Sequence, residues 1–187
     1  MGYYRQVVGK KCYLSPSHVE DAELYCQWLN DLNISMQLGM TFSITPEEEK
    51  EILAKLRKEN RLFGIIDKET DKLIGNTGLH QINQIDQTAE FGIFIGDKSY
   101  WNRGFGQEAT QLTLDFGFNL MNLHNIYLRV YDYNQRGIRC YEICGFKKIG
   151  VFREARQIAG KRHNVIYMDI LNHEFESIYV KNIIKND

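Results

Sequence analysis

Proline is scarce in this chain: 187 residues contain two, Pro16 and Pro46. No Ser/Gly-rich or single-sign charged tract compensates, which excludes a flexible linker, a repeat array and a low-complexity arm. No apolar run approaches the roughly 20 residues that a membrane-spanning helix needs. The opening MGYYRQVVGKK lacks the apolar centre of a secretion signal, and Gln6 stands where a myristoylation signal wants Ser or Thr. Cysteine is limited to Cys12, Cys26, Cys140 and Cys144, with no CxxC pair and no histidine at zinc-ligand spacing. Cys140 and Cys144 lie one helical turn apart, poor geometry for a disulfide, so all four read as small buried hydrophobes in a reducing, cytoplasmic setting. An excess of either charge is also missing: 23 Lys and Arg face 24 Asp and Glu, net −1. That removes the electrostatic case for nucleic acid or an anionic membrane as partner. His18, His124, His163 and His173 form no constellation with a nucleophile, and no metal cluster emerges, so neither a hydrolase nor a metalloenzyme is supported.

What remains is a single-domain length with an ordinary soluble composition, 43% hydrophobic and 25% charged. CYLSP reads as a first strand. SHVEDAELYCQWLND reads as a helix with Ser17 as its N-cap, and TPEEEKEILAKLRKEN as a second, with a Thr45–Glu48 capping box and Pro46 in the first helical position. RLFGIID and KLIGNTGLHQI form a hairpin around KETD, followed by the strand TAEFGIFIG. A helix then runs to about Met121, and NIYLRVYD is β-rich. NQRGIRCYEIC reads as a helix ending at Gly145, and KKIGVFREARQI with KRHNVIYMDIL as a closing hairpin. Beyond Leu171 the pattern is weak and polar. A strand meander followed by strands interleaved with helices makes this a mixed-sheet α/β or α+β domain.

Between TAEFGIFIG and the next helix stands YWNRGFGQEA. The first amides of a helix lack intrahelical partners and carry the positive end of its dipole, so they receive anions. Gly104 and Gly106 remove the Cβ atoms that would hold a phosphate away, and Arg103 adds charge. A bare turn would also use two glycines. A P-loop is excluded because Gln107 and Glu108 follow in place of Lys and Ser/Thr. Gly104, Gly106 and Ala109 satisfy the dinucleotide fingerprint G-x-G-x-x-A, with Asp132 near the position of a ribose-binding acid, so an NAD-dependent oxidoreductase is a rival. Against it, DKSYWNR separates the strand from the first glycine.

Trp101-Asn102-Arg103-Gly104-Phe105-Gly106 resembles the Q/R-x-x-G-x-G/A loop of the GNAT N-acyltransferase superfamily, departing from it only at Trp101. A second signature of that family, a strand leading to Asn, then a helix carrying Tyr, then Gly-Phe, is matched by Asn134, Tyr141, Gly145 and Phe146. GVFREARQIAGKRHNVIYMDIL is similar to the C-terminal hairpin of the branch that holds ribosomal-protein N-terminal acetyltransferases and spermidine acetyltransferases. The resemblance spans Cys12 to Leu171 of a domain taken as residues 1–187, with 172–187 a polar tail. It implies the GNAT fold: a mostly antiparallel sheet of about seven strands, splayed between the fourth and fifth, flanked by about four helices.

The resemblance also implies acetyl-coenzyme A as cosubstrate, direct transfer to a primary amine in a ternary complex, and, as is common in the branch, a homodimer. Backbone groups of Ile93, Phe94 and Ile95 would bind the pantetheine arm and polarise the thioester, as an oxyanion hole does. Amides of Arg103, Gly104, Phe105, Gly106 and Gln107 would hold the diphosphate, and Asn134 would bind the pantetheine or cap the helix after it. Tyr141 would protonate the departing thiolate as general acid. Glu90, on the face of Gly92 and Phe94, is the candidate base, directly or through a water, with His80 in reserve. The acceptor is read as a protein N-terminus or a small amine. SMQLGMTF offers no carboxylate where spermidine acetyltransferases carry acidic residues, which speaks against a polyamine. A non-catalytic acyl-coenzyme A-binding module is the other alternative, against which Tyr141 and Glu90 weigh.

Overall fold

A computed structural model describes residues 2–59 and 61–181 of the chain. Its strands are β1 (Val7–Val8), β2 (Cys12–Pro16), β3 (Arg61–Asp67), β4 (Leu73–Asn83), β5 (Thr88–Ile95), β6 (Asn125–Tyr131), β7 (Lys147–Ile158) and β8 (Lys161–Leu171). Its α-helices are α1 (Ala22–Leu29), α2 (Leu32–Leu38), α3 (Pro46–Glu59), α4 (Phe105–Asn119) and α5 (Gln135–Ile143). The eight strands form one sheet in the order β1-β2-β3-β4-β5-β6-β8-β7. Every pairing is antiparallel except β5 with β6.

Period-2 alternation sends neighbouring residues to opposite faces of the sheet. Leu14, Ile65 and Ile74 pack on the α4 side with Leu112, Ala89 and Ile126. Their neighbours Tyr13, Ile66 and Leu73 pack on the other side against Tyr25 and Leu29 of α1 and Leu53 of α3. The strands β2, β3 and β4 are therefore apolar on both faces, which is why their sequences run with few polar breaks.

Two buried carboxylates on α4 tie down both ends of the chain. Glu108 accepts from the backbone amides of Lys10, Lys11 and Cys12 at 2.8, 2.7 and 2.8 Å. Asp115 accepts from Ser177 Oγ, Tyr179 N and Val180 N at 2.7, 2.9 and 3.0 Å. The segment after Leu171, read as a weakly patterned tail, thus packs on α4 with Val180 buried. Residues of that segment beyond 181, and Asn60 at the end of the second helical pattern, lie outside the described residues.

Two local expectations need correction. The first helical pattern is not one helix: a 3-10 turn at Val19–Asp21 leads into α1, and α1 stops before Asn30. Ser17 does not cap the helix: its Oγ is buried without a partner among the described residues. Asp31 starts a separate α2 by accepting from Asn33 N at 2.9 Å, and Gly39 closes it in the left-handed region at φ 76°. The Thr45–Glu48 capping box, by contrast, is formed in both directions. Among the described residues no helix is long and apolar enough to cross a membrane.

The position of the site follows from the β5–β6 pairing. Thr88, Ala89 and Glu90 pair with Asn125, Ile126 and Tyr127, and there the pairing ends. Past Glu90 the strands diverge, leaving Phe91 to Ile95 with β4 on one side and a gap on the other.

Candidate active site

The gap opens into a cleft of about 1180 Å³ that runs from the YWNRGFGQEA loop to α2. The loop end is made largely of backbone. A 3-10 turn at Lys98–Tyr100 follows Asp97, which accepts from Ser99 N at 2.9 Å. Asn102 and Gly104 then take positive φ of 57° and 84°, and α4 begins at Phe105. Glu108 N is bonded to Gly104 O at 3.1 Å, so the amides of Phe105, Gly106 and Gln107 are those without an intrahelical acceptor. A Cβ on Gly106 would stand in the cleft, 3.9 Å from Cys140 Sγ and from Ile95 Cγ1. The loop thus has the form that a diphosphate requires: free amides, a helix N-terminus and no side chain in the way.

Arg103 and Phe105 contribute differently from Gly104, Gly106 and Gln107, which line the cleft. Phe105 is a buried core ring, and the Arg103 guanidinium lies over the rings of Tyr100 and Phe105. Lys11 Nζ donates to the Arg103 carbonyl at 3.0 Å, tying the β1–β2 turn to the loop.

Ile93, Phe94 and Ile95 line the opposite wall, and Asn134 and Tyr141 approach from α5. Asn134 caps α5, its Oδ1 accepting from Gly137 N at 2.9 Å. The Tyr141 ring packs edge-on against Phe91 and Phe146, with centroids 6.1 and 6.0 Å away. Burial, followed by the neighbouring Cys140 and Cys144, pushes the phenol above its usual value while Arg136 opposes. Tyr141 therefore stays a proton donor across the neutral range. Gly145, at φ 98°, ends α5 one residue before Phe146 turns into the core.

At the other end stand Glu90 and His80, directly opposite each other on β5 and β4. Glu90 has both oxygens occupied: Oε1 accepts from Arg129 Nε at 2.7 Å and Oε2 from Gln81 Nε2 at 2.9 Å. The His80 imidazole packs over Gly92. Burial lowers its pKa below 6.5, the Glu90 charge opposing, so the ring is neutral at pH 7. Among the described residues, no group of His, Cys, Asp and Glu side chains could hold a metal ion.

Residues 11–147 match the profile of the Acetyltransferase (GNAT) domain. The chain belongs to this family. The acetyltransferase is 33% identical over 178 residues to the probable N-acetyltransferase YjcK of Bacillus subtilis, covering 90% of this chain and 98% of that one. It is 29% identical over 167 residues to an uncharacterized N-acetyltransferase of Bacillus licheniformis, covering 87% and 93%. The crystal structure of spermidine N-acetyltransferase from Vibrio cholerae in complex with CoA and spermine superposes with a TM-score of 0.82 at 29% identity, covering 89% and 99%. The protein is thus an N-acetyltransferase that uses acetyl-coenzyme A, on a mixed α/β fold with a mostly antiparallel sheet.

Three features of the acetyltransferase's cleft are missing from the sequence reading. Trp101, the departure from the loop pattern, is an anchor: its Nε1 donates to Ile95 O at 2.8 Å, holding the loop to the end of β5. The Arg136 guanidinium lies 3.6 Å from the centre of the Trp101 ring, a cation–π contact between loop and α5. The third is α2, which walls the end of the cleft away from the loop with Ile34, Gln37 and Leu38. Only α2 had a local signal: Asp31 as N-cap and Gly39 as C′, seven residues of helix apart.

Proposed function

We propose that this acetyltransferase acylates a primary amine of low pKa and single charge, an acceptor of the peptide α-amine kind, by direct attack in a ternary complex. The observation that carries this is the state of Glu90. It is the one carboxylate among the described residues that line the cleft, and Arg129 and Gln81 already hold it. A polycation would meet no free negative charge there. At pH 7, deprotonating an amine of pKa about 10.4 costs about 4.6 kcal/mol, against about 1.4 kcal/mol for an α-amine near 8. A site whose nearest free base is a neutral imidazole suits the second.

In this reading acetyl-coenzyme A supplies the activated acetyl group when bound. Amides of Phe105, Gly106 and Gln107 hold its diphosphate, and the open edge of Ile93–Ile95 pairs with its pantetheine arm and donates to the thioester oxygen. Asn134 fixes the start of α5 so that Tyr141 faces the sulfur and delivers the proton to the departing thiolate. Glu90, fixed by Arg129, steadies the charge that His80 gains on taking the amine's proton.

Two further proposals concern assembly. The continuous sheet supports reading the chain as one acyltransferase unit. The chain forms a homodimer through β7, a twelve-residue strand whose outer edge is unpaired among the described residues and which exposes Ile149, Val151 and Phe152. Light scattering on the eluted protein gives the mass.

The test of the acyl-transfer reading is titration with acetyl-coenzyme A, with NADH in parallel, then thiol release with trialanine amide and with spermidine. Saturable binding of acetyl-coenzyme A alone, and faster turnover of the peptide amine, are expected. Binding of NADH instead, or a preference for spermidine, overturns the reading.

A further inference from the structure

Helix α2 is held at both ends. At its start Asp31 caps the helix and forms an ion pair with Lys98 of the cofactor loop. At its end Met40 N bonds to Ser35 O at 2.9 Å, closing the turn around left-handed Gly39. Tyr133 Oη donates to Met36 O at 2.8 Å. The Tyr131 hydroxyl fills the space beside Gly39, 2.3 Å from where a Cβ would stand. Two tyrosines of the β6 end thus clamp the last turn of α2 and fix the direction in which its side chains point.

Gln37 lies in that clamped turn and lines the cleft with Tyr131 and Leu38. Its Oε1 is buried and has no hydrogen-bond partner among the described residues. The carboxylates around this end are satisfied, whereas Arg156, whose guanidinium lies over the Tyr131 ring, also leaves its buried Nε without a partner among the described residues. Glu90 is held as above, and Asp132 accepts from Asn164 N at 2.9 Å and lies 3.1 Å from His163 Nδ1. A buried carbonyl oxygen left without a donor is destabilising, so native structures seldom keep one without a role. Because Gln37 lines the cleft, a donor arriving there would complete it.

We propose that Gln37 is the specificity-determining residue of the acceptor end: its Oε1 accepts a hydrogen bond from the amine substrate and selects singly charged amines. This rests on the amine-acetylation reading above. A neutral carbonyl orients one N–H group without the field that concentrates a polycation. Gln37 takes no proton, so it governs binding of the amine and leaves the chemical step alone.

The experiment compares wild type, Gln37→Leu and Gln37→Glu with trialanine amide and spermidine, after melting curves confirm that each variant is folded. Gln37→Leu should raise KM for trialanine amide about 10-fold while kcat changes less than about 3-fold, since one hydrogen bond to a charged group is lost from ground and transition states alike. Its acetyl-coenzyme A affinity should be unchanged. Gln37→Glu keeps the shape, folds where the leucine variant does not, and should raise the spermidine-to-trialanine-amide ratio of kcat/KM by about 10-fold. A trialanine amide KM within about twofold of wild type in Gln37→Leu overturns the assignment, as does an unchanged ratio in Gln37→Glu. Failure of wild type to bind acetyl-coenzyme A overturns the acetyl-transfer reading itself. If wild type binds the cofactor but turns over neither amine, titration of trialanine amide into the coenzyme A-loaded protein decides. Weaker binding by Gln37→Leu supports the role, and equal binding ends it.

Discussion

The two ends of the cleft are built of different material. The loop end offers backbone: amides of Phe105 to Gln107, the unpaired edge of Ile93 to Ile95, and glycines that keep side chains away. The α2 end offers side chains drawn from α2, β4, β5 and β6, several of them held by neighbours: Glu90 by Arg129 and Gln81 by Glu90, with the backbone of α2 held at Met36 O by Tyr133. A backbone site serves one ligand through many sequence changes because most side chains there do not touch it. A side-chain site can be retuned one residue at a time. The cofactor is thus a property of the family, and the acceptor a property of this chain.

The largest effect should come where the two ends meet. Tyr141→Phe removes the hydroxyl proposed to protonate the thiolate and keeps the ring against Phe91 and Phe146. Because a thiolate is a fair leaving group unaided, kcat should fall by about 10²–10⁴ and not to zero. Titration should show the acetyl-coenzyme A affinity unaltered. A variant with wild-type kcat would move the proton source elsewhere and place Tyr141 among the packing residues. Next in size is Gly106→Val, which puts branched carbon where a diphosphate would lie. Overpacking of about 1–3 kcal/mol corresponds to about 10–100-fold weaker acetyl-coenzyme A binding. The KM for the amine should stay constant, which separates the two ends directly.

The same division decides what the sequence reveals. The loop, Asn134, Tyr141 and the Gly145–Phe146 turn are legible because a backbone site constrains a contiguous run of residues. The strands and their order of appearance are legible through alternation, which survives in β2 to β5 even where both faces are buried. Helix α2 is not legible in the same way: the first helical pattern is read as ending at Asp31, and only Asp31 and Gly39 mark the separate helix that follows. The pairing of Glu90 with Arg129 joins residues 39 apart in sequence and could not be read from either segment. Trp101 stands out in the sequence only as a departure from the loop pattern, because its hydrogen bond to Ile95 O and its contact with Arg136 are tertiary.

A pH profile probes the acceptor end at intermediate scale. His80 has its pKa lowered chiefly by burial, so it carries a proton only below 6.5. If the imidazole takes the amine's proton, kcat/KM for trialanine amide should fall on an acid limb below 6.5, and His80→Gln should abolish that limb. Glu90→Gln removes the charge that holds the imidazole's pKa up, so the limb should move to lower pH. It should cost less activity than His80→Gln. The reverse order of losses would make Glu90 the base and His80 its neighbour. The depressed His80 pKa also adds stability that is present above 6.5 and lost as pH falls through the folded value, because the unfolded chain then binds the proton more readily.

The smallest catalytic effect, with a clear effect on stability, is expected behind the acceptor wall. Glu49 of α3 is 5% exposed, and burial raises its carboxyl to about 7. Its charge adds to burial in pushing up the thiol of Cys26 on the facing α1. The sign follows from proton counting. Between its unfolded value of 4.5 and about 7 the folded protein holds the proton more tightly than the unfolded chain, so stability falls as pH rises through that window. At pH 8 the penalty is fully present, at most about 3 kcal/mol. Glu49→Gln should therefore raise Tm at pH 8 and leave it nearly unchanged at pH 4. Because Glu49 does not reach the cleft, the KM values for both acetyl-coenzyme A and amine should stay as in wild type. If the amine KM shifts while the cofactor KM does not, the α1–α3 layer is mechanically part of the acceptor end, and the side chains that tune the acceptor extend one shell further out than Gln37, Glu90 and Arg129.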